Sequence, residues 1–357
     1  MIFDGGVVTI PQSGCSPDSP LYTRGPLGRV AKLNDHFSHD YSSYYITFFK
    51  PGKEWLVKER KISYDKKKEV SNMDYVNCKL CPSQCGADRN RGIFGRCDCP
   101  DIALVSKTMI HRWEEPALAG EGGSGAIFFG GCTMGCVYCQ NRKISGKPNG
   151  ALTTAKKLRE MMDDLIARGA ENIDLVSPTP YLPTIVQALE EKLAVPVVYN
   201  SGGWERVETI RELEGKIDIY LPDLKYSSNA LGKALSGVNG YFETACAAIR
   251  EMVRQTGPVV WQGDKVVRGV IVRHLILPGF VDNSLKVLDW LGENFAPGEI
   301  LVSLMRQYTP WTDLPAPLNR RVTDEEYDAV LSWMYLNGLE GFTQDADAAT
   351  DAYIPDF

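Results

Sequence analysis

Eight of the ten cysteines in this 357-residue chain fall in two short stretches: Cys78, Cys81, Cys85, Cys97 and Cys99, then Cys132, Cys136 and Cys139. Thiols so closely spaced converge easily on a common metal centre, and soft sulfur ligands select zinc or iron–sulfur groups. A chain of this length buries a core without disulfide staples. Its start, MIFDGGVVTIPQSGC, lacks the basic and long apolar regions of a secretory signal. Reduced thiols in a cytoplasmic protein are therefore expected, with Cys15 and Cys246 as ordinary structural residues. The formal charge of −6 argues against DNA as the main partner. No apolar run reaches the ~18 residues that would span a bilayer.

The second cysteine group directly follows the apolar run Ala126–Phe129, and from there strand and helix signals alternate. Helices are expected at Thr153–Gly169, Tyr181–Leu193, Trp204–Leu213, Tyr241–Gln255 and Asn283–Leu291. Between them lie strand candidates Asn172–Val176, Val195–Tyr199, Ile217–Leu221, Val270–Leu277 and Ile300–Met305. Six strands alternating with helices predict an α/β fold, a parallel sheet curled by right-handed crossovers into a partial (β/α)6 barrel. A flat doubly wound sheet is the alternative. The expected division is an N-terminal extension over 1–75, a cysteine-rich module over 76–120, the barrel over 121–311, and a helical segment over 312–357. The extension carries short alternating pieces at Tyr44–Phe49 and Glu54–Val57, and the last segment a helix at Thr323–Gly338.

The run GAIFFGGCTMGCVYCQN sets Cys132, Cys136 and Cys139 in CxxxCxxC spacing, with Gly130, Gly131 and Gly135 allowing a tight turn. Three thiolates can hold three irons of a cubane and leave the fourth open to the amine and carboxylate of an amino acid. Three thiolates with a water would also suit zinc. With Tyr138 before the last cysteine, the motif resembles that of the radical S-adenosylmethionine (SAM) superfamily. The resemblance implies that Cys132, Cys136 and Cys139 bind a [4Fe–4S] cluster, that SAM chelates its unique iron, and that Tyr138 packs near the adenine. Reductive cleavage would then yield a 5′-deoxyadenosyl radical that abstracts hydrogen.

Further pieces, CKLCPSQCGADR, GRCDCP, HRWEEP, NSGG, LPDLKY, RGVIVRHLILPG and SLMRQYTP, resemble in order the branch that contains pyruvate formate-lyase activating enzyme. The likeness spans about residues 76–345. It implies that Lys225 and His274 contact the cofactor carboxylate, and it matches Asp223 with Asn200 and Ser201 to the region that holds a monovalent cation there, although Asn200 stands where that branch has an aspartate; the alternative is that Asp223 orients Lys225. Many superfamily members bind the cofactor's amino group through Gly-Gly-Glu after the second strand. Here Ser177 and Thr179 stand in that region, without a carboxylate. Cys78, Cys81, Cys85 and Cys97 would hold a second [4Fe–4S] cluster. The competing arrangement is structural zinc on Cys78, Cys81, Cys97 and Cys99. A flavodoxin or ferredoxin-like donor is implied, with a glycyl-radical protein as the leading substrate. A small molecule or peptide is the second choice, and a non-catalytic electron-transfer or scaffold role the third. Glu114 and Glu115 are candidates for the barrel mouth. Arg273 and Arg306 would face substrate or pair with buried acids, Gln307 and Tyr308 close a strand, and His36 and His39 are loop residues.

Overall fold

The alternation of apolar runs and helices becomes a ten-stranded, mostly parallel sheet in a computed structural model that describes residues 73–310 and 313–344. It also gives Ile2–Phe3 and Gly6–Val7, which pair antiparallel. The chain divides into two units, Met1–Glu69 and Val70–Phe357. Cys15, His36, His39 and the strand candidates Tyr44–Phe49 and Glu54–Val57 lie outside the described residues.

The strands of the second unit are β1 (Ala103–His111), β2 (Ser124–Phe129), β3 (Ala151–Thr153), β4 (Asn172–Val176), β5 (Val197–Ser201), β6 (Ile219–Pro222), β7 (Val260–Gln262), β8 (Lys265–Leu275), β9 (Leu301–Met305) and β10 (Gly341–Thr343). The order β2-β4-β5-β6-β8-β9 is the expected run of six parallel strands. Helices Ala155–Ala167, Leu182–Ala188, Val207–Arg211, Tyr241–Thr256 and Val281–Asn294 occupy the crossovers. The fold is α/β, a partial (β/α)6 barrel. Helix Ala155–Ala167 starts where Thr154 accepts a hydrogen bond from the Lys157 amide, and it buries Leu158, Met162 and Leu165 at helical spacing. Thr323 and Glu326 form a capping box at the start of helix Asp324–Leu336.

Several elements depart from the sequence expectation. β1 joins the sheet antiparallel to β2, within a stretch expected to hold only the cysteine module. The helix expected at Tyr181–Leu193 shortens to Leu182–Ala188 after a 3-10 turn at Thr179–Tyr181. Helix Asn229–Ser236 appears in what reads as loop, its N-terminus capped by Ser228.

Strand alternation assigns the two faces. Val198, Ile219, Leu221, Ile271 and Leu301 form one core with Ala117 and Leu118, so the segment after β1 runs inside the barrel. Tyr199, Tyr220, Val270, Val272 and Val302 face the surrounding helices in the other. Among the described residues no helix is long and apolar enough to cross a membrane.

Candidate active site

The cysteine loop leaves the C-terminal end of β2, where active sites of parallel barrels gather. Its course is set by backbone crowding. A Cβ on Gly130 would lie 2.0 Å from the Asn149 carbonyl oxygen, and one on Gly131, which has φ +91°, 2.3 Å from Cys99 Sγ. The C-terminal end of helix Asn229–Ser236 holds the far side. The Gly135 amide donates to the Ser236 carbonyl at 3.2 Å and the Val137 amide to the Leu235 carbonyl at 2.9 Å. Arg96 ties the two together, donating to the carbonyls of Thr133 (3.1 Å), Ser236 (2.8 Å) and Gly237 (2.9 Å).

Each of the three sulfurs has a polar group within hydrogen-bond reach. The Met134 amide lies 3.5 Å from Cys132 Sγ, the Ser236 hydroxyl 2.9 Å from Cys136 Sγ, and the Ser145 hydroxyl 3.3 Å from Cys139 Sγ. Burial pushes the Cys132 thiol up to about 12 and raises Cys136, while nearby Lys225 pulls both down. Such thiols become thiolates when a metal supplies the compensating charge. Among the described residues no three His, Cys, Asp or Glu side chains converge as single-ion ligands. Three sulfurs spread around one loop, each met by a donor, fit a group with several irons, where each thiolate takes its own metal.

Beside this loop lies a buried charge network on the inner face. Lys225 Nζ contacts Asp223 Oδ2. Arg273 Nε donates to Asp223 Oδ1 at 2.8 Å, and another Arg273 N–H donates to Asn200 Oδ1 at 2.5 Å. Glu114 lies 3.5 Å from the same guanidinium, and Asn200 donates to Asp174 at 3.2 Å. Although burial alone would raise it, Arg273 and Lys225 hold the Asp223 carboxyl below its usual range. Burial and the adjacent Glu114 push Asp174 well above its own. The Arg273 guanidinium stands between Asp223 and Asn200, the two residues the resemblance sets beside a monovalent cation. Arg306, by contrast, pairs with Asp324 at 2.6 Å.

His274 calls for a correction. It shares strand parity with Val270 and Val272, so it points toward the helices, fully buried. Its ring nitrogens lie 2.7 Å from the Leu224 carbonyl and 2.8 Å from the Ser284 hydroxyl, which leaves none for a cofactor carboxylate. The inward residue is its neighbour Arg273. Both faces of β8 are apolar, as in any strand covered on both sides, so period-two patterning carries no sign of which is inward. Burial pushes His274 down from 6.5 to about 4. The unfolded chain takes up the proton first. Its stabilising effect is therefore complete above pH ~6.5 and lost as pH falls toward 4, by about 3 kcal/mol. Urea denaturation of a His274→Asn variant should show a flatter stability slope between pH 4 and 7; an unchanged slope would refute this burial.

Thr179 and Ser201 also face away from the lumen. Thr179 Oγ1 donates to Glu205 Oε1 at 2.8 Å and lies 3.0 Å from the Tyr199 hydroxyl. Ser201 Oγ accepts from the Gly203 amide at 3.3 Å. Burial pushes Glu205 up to about 7. No local motif marks Glu205 or Ser236, and the pieces GRCDCP and LPDLKY contain Arg96 and Tyr226 without pointing to their contacts, which join them to Ser236. Ser177 follows β4 with φ +59°, its amide donating to the Asn200 carbonyl at 2.9 Å.

In the first cysteine group the buried Arg89 donates to Cys78 Sγ at 3.3 Å and Cys97 Sγ at 3.6 Å. Hydrogen bonding from Cys99, together with Arg89, holds Cys97 down to about 6 against burial. Cys81 is buried and Cys85 exposed. Cys99 turns instead to the Cys97 carbonyl at 3.1 Å and toward that of Gly130 at 3.8 Å.

The fold and loop define a partial parallel barrel with a cysteine triplet at the end of its first strand. Residues 126–291 match the model of the Radical SAM superfamily, and an uncharacterized protein of Methanocaldococcus jannaschii is 30% identical over 279 residues, 75% of this chain and 77% of that one. The chain belongs to the radical SAM superfamily. Among solved structures it is similar to a radical SAM methyltransferase from Sphaerobacter thermophilus (16% identity, TM-score 0.45, covering 62% of this chain and 66% of that one). It is also similar to Streptococcus suis SuiB bound to precursor peptide SuiA (13% identity, TM-score 0.43, covering 61% and 47%). The chain thus spans under two thirds of each of those two structures.

Proposed function

We propose that this chain holds a [4Fe–4S] group on Cys132, Cys136 and Cys139, binds SAM beside it, and abstracts hydrogen from a substrate. The observation that carries the reading is the triplet of donor-facing thiols set against the Lys225–Asp223–Arg273 network. A [4Fe–4S] group held by Cys132, Cys136 and Cys139 would, once reduced, supply the electron for cleaving SAM to methionine and a 5′-deoxyadenosyl radical. Lys225 has three N–H donors; Asp223 takes one, and two remain for the cofactor carboxylate. Arg273 keeps Asp223 ionised and Asn200 in place, and Tyr138 backs the loop. The electron comes from a flavodoxin or ferredoxin-like donor.

A cavity of about 540 Å³ on the inner face, lined by Trp113, Glu114, Glu115, Arg273, Ser303 and Gln307 among others, is the proposed substrate entry. The order of the motifs supports a glycyl-radical protein, whose glycine loop would enter there. The cavity volume, within the ~300–1,000 Å³ usual for small ligands, supports the second reading, a small molecule or peptide side chain. For the first cysteine group, Cys78, Cys81, Cys85 and Cys97 are the proposed ligands of a second [4Fe–4S] cluster.

Anaerobic reconstitution with metal and sulfide counting tests both sites. About eight irons per chain are expected, and about four with one zinc would replace the second cluster by zinc. Dithionite-reduced protein given SAM should slowly release 5′-deoxyadenosine; no release would leave the electron-transfer or scaffold role.

A further inference from the structure

One of the three sulfurs is served differently from the others. Ser236 Oγ lies 2.9 Å from Cys136 Sγ, the Tyr226 hydroxyl 2.6 Å from Ser236 Oγ, and the Tyr138 hydroxyl 2.6 Å from that of Tyr226. All three hydroxyl-bearing residues are buried. Each hydroxyl has one proton to give. A metal-bound thiolate only accepts, so Ser236 donates to Cys136. Ser236 must then accept from Tyr226, and Tyr226 from Tyr138. The chain of donors runs one way and ends on a single sulfur. Such chains polarise each other, so each hydroxyl strengthens the next bond.

The chain is held rigidly. Ser236 is the last residue of helix Asn229–Ser236, and Gly237 follows with φ +64°. Arg96 grips the carbonyls of both. The Tyr241 ring packs edge-on against Tyr226 at 5.0 Å, and the Tyr308 ring lies 6.1 Å from Tyr138. A hydroxyl at the end of a fixed chain cannot swing away when charge changes at the sulfur.

We infer that Tyr138, Tyr226 and Ser236 form a hydrogen-bond relay that raises the reduction potential of the group bound by Cys136. The inference rests on the proposed cluster site. Reduction adds one electron, from a low-potential one-electron donor, with no bond made or broken. The added negative charge spreads onto the ligand sulfurs, and a donor fixed at one of them stabilises the reduced state. Ser236 is a positioning residue for this charge, with Tyr226 and Tyr138 acting through it.

The test is a dithionite titration of the reconstituted protein, followed by the electron paramagnetic resonance signal that changes on adding SAM. Ser236→Ala should make reduction about tenfold less favourable, a fall of ~59 mV for a one-electron couple. Tyr226→Phe should shift it less in the same direction, and Tyr138→Phe least. The double variant Ser236→Ala/Tyr226→Phe should match Ser236→Ala alone, because the tyrosine acts through the serine. Ser236→Thr, which keeps the hydroxyl, should restore the wild-type potential. Iron and sulfide content should stay at the wild-type level. If Ser236→Ala fails to hold iron, the two tyrosine variants, each losing a single oxygen, decide the matter. Unchanged potentials in iron-replete Ser236→Ala and Tyr226→Phe, or additive shifts in the double variant, would overturn the relay. A wild-type protein with no SAM-sensitive signal would instead overturn the cluster site, a separate result.

Discussion

Replacing Cys132 by alanine is expected to remove about four irons per chain and reduce 5′-deoxyadenosine release to background. Two remaining thiolates cannot hold a cubane with one vacant iron, because a second iron would lose its protein ligand. The loop itself should survive, since its path depends on backbone bonds from Gly135 and Val137 to helix Asn229–Ser236 and on Arg96, none of which involves the Cys132 sulfur. Iron analysis, the SAM-sensitive resonance signal and product release should therefore fall together while folding is retained. Full cleavage activity in Cys132→Ala would disprove the assignment of the reactive site. Iron that persists at about half the wild-type level would belong to the first cysteine group.

Arg273→Ala should be the most damaging change that leaves every cysteine in place. The guanidinium, about 15% exposed, is held among Asp223, Asn200 and Glu114. Removing it strands carboxylates in a low-dielectric interior, at a cost of roughly 3–5 kcal/mol. SAM affinity should fall as well, because Asp223 loses the partner that keeps it ionised and Lys225 is left to satisfy it alone. Arg273→Lys should recover part of the stability but not the geometry, since an ammonium cannot reproduce a planar fork aimed at two acceptors. Anaerobic urea denaturation and equilibrium SAM binding are the measurements. A variant as stable as wild type with undiminished affinity would show that the network positions nothing. Added sodium or potassium should have no effect on wild-type binding, because a side chain already occupies the place expected for the cation.

Much of the barrel was legible in the chain. Asn172–Val176 was read to the residue because a short β-branched and apolar run sits between a helix cap and a Ser-Pro turn. Helix Tyr241–Thr256 was read to within a residue because its apolar positions recur at helical spacing. β1 is hard to see in the sequence although ALVSKTMIH partly alternates, because the neighbouring cysteines point to a metal module with no strand of its own. Helix Asn229–Ser236 is too short for periodicity to stand out, yet its C-terminal end holds the cysteine loop and places Ser236 beside Cys136.

The two β8 residues show where sequence reasoning stops. Both faces of β8 are buried, so VRHL contains no sign of which polar side chain enters the barrel. The family pattern favoured His274, and the pairing of β8 between β6 and β9 turned Arg273 inward instead. By itself the sequence determined the cysteine triplet, its place after the first strand and the succession of parallel units, because ligand spacing and apolar periodicity are local properties. The tertiary structure alone decided that Arg273 joins Lys225 at Asp223, which thiols Arg89 joins, and which hydroxyl reaches Cys136. Those contacts join residues up to a hundred positions apart, and no local pattern encodes them.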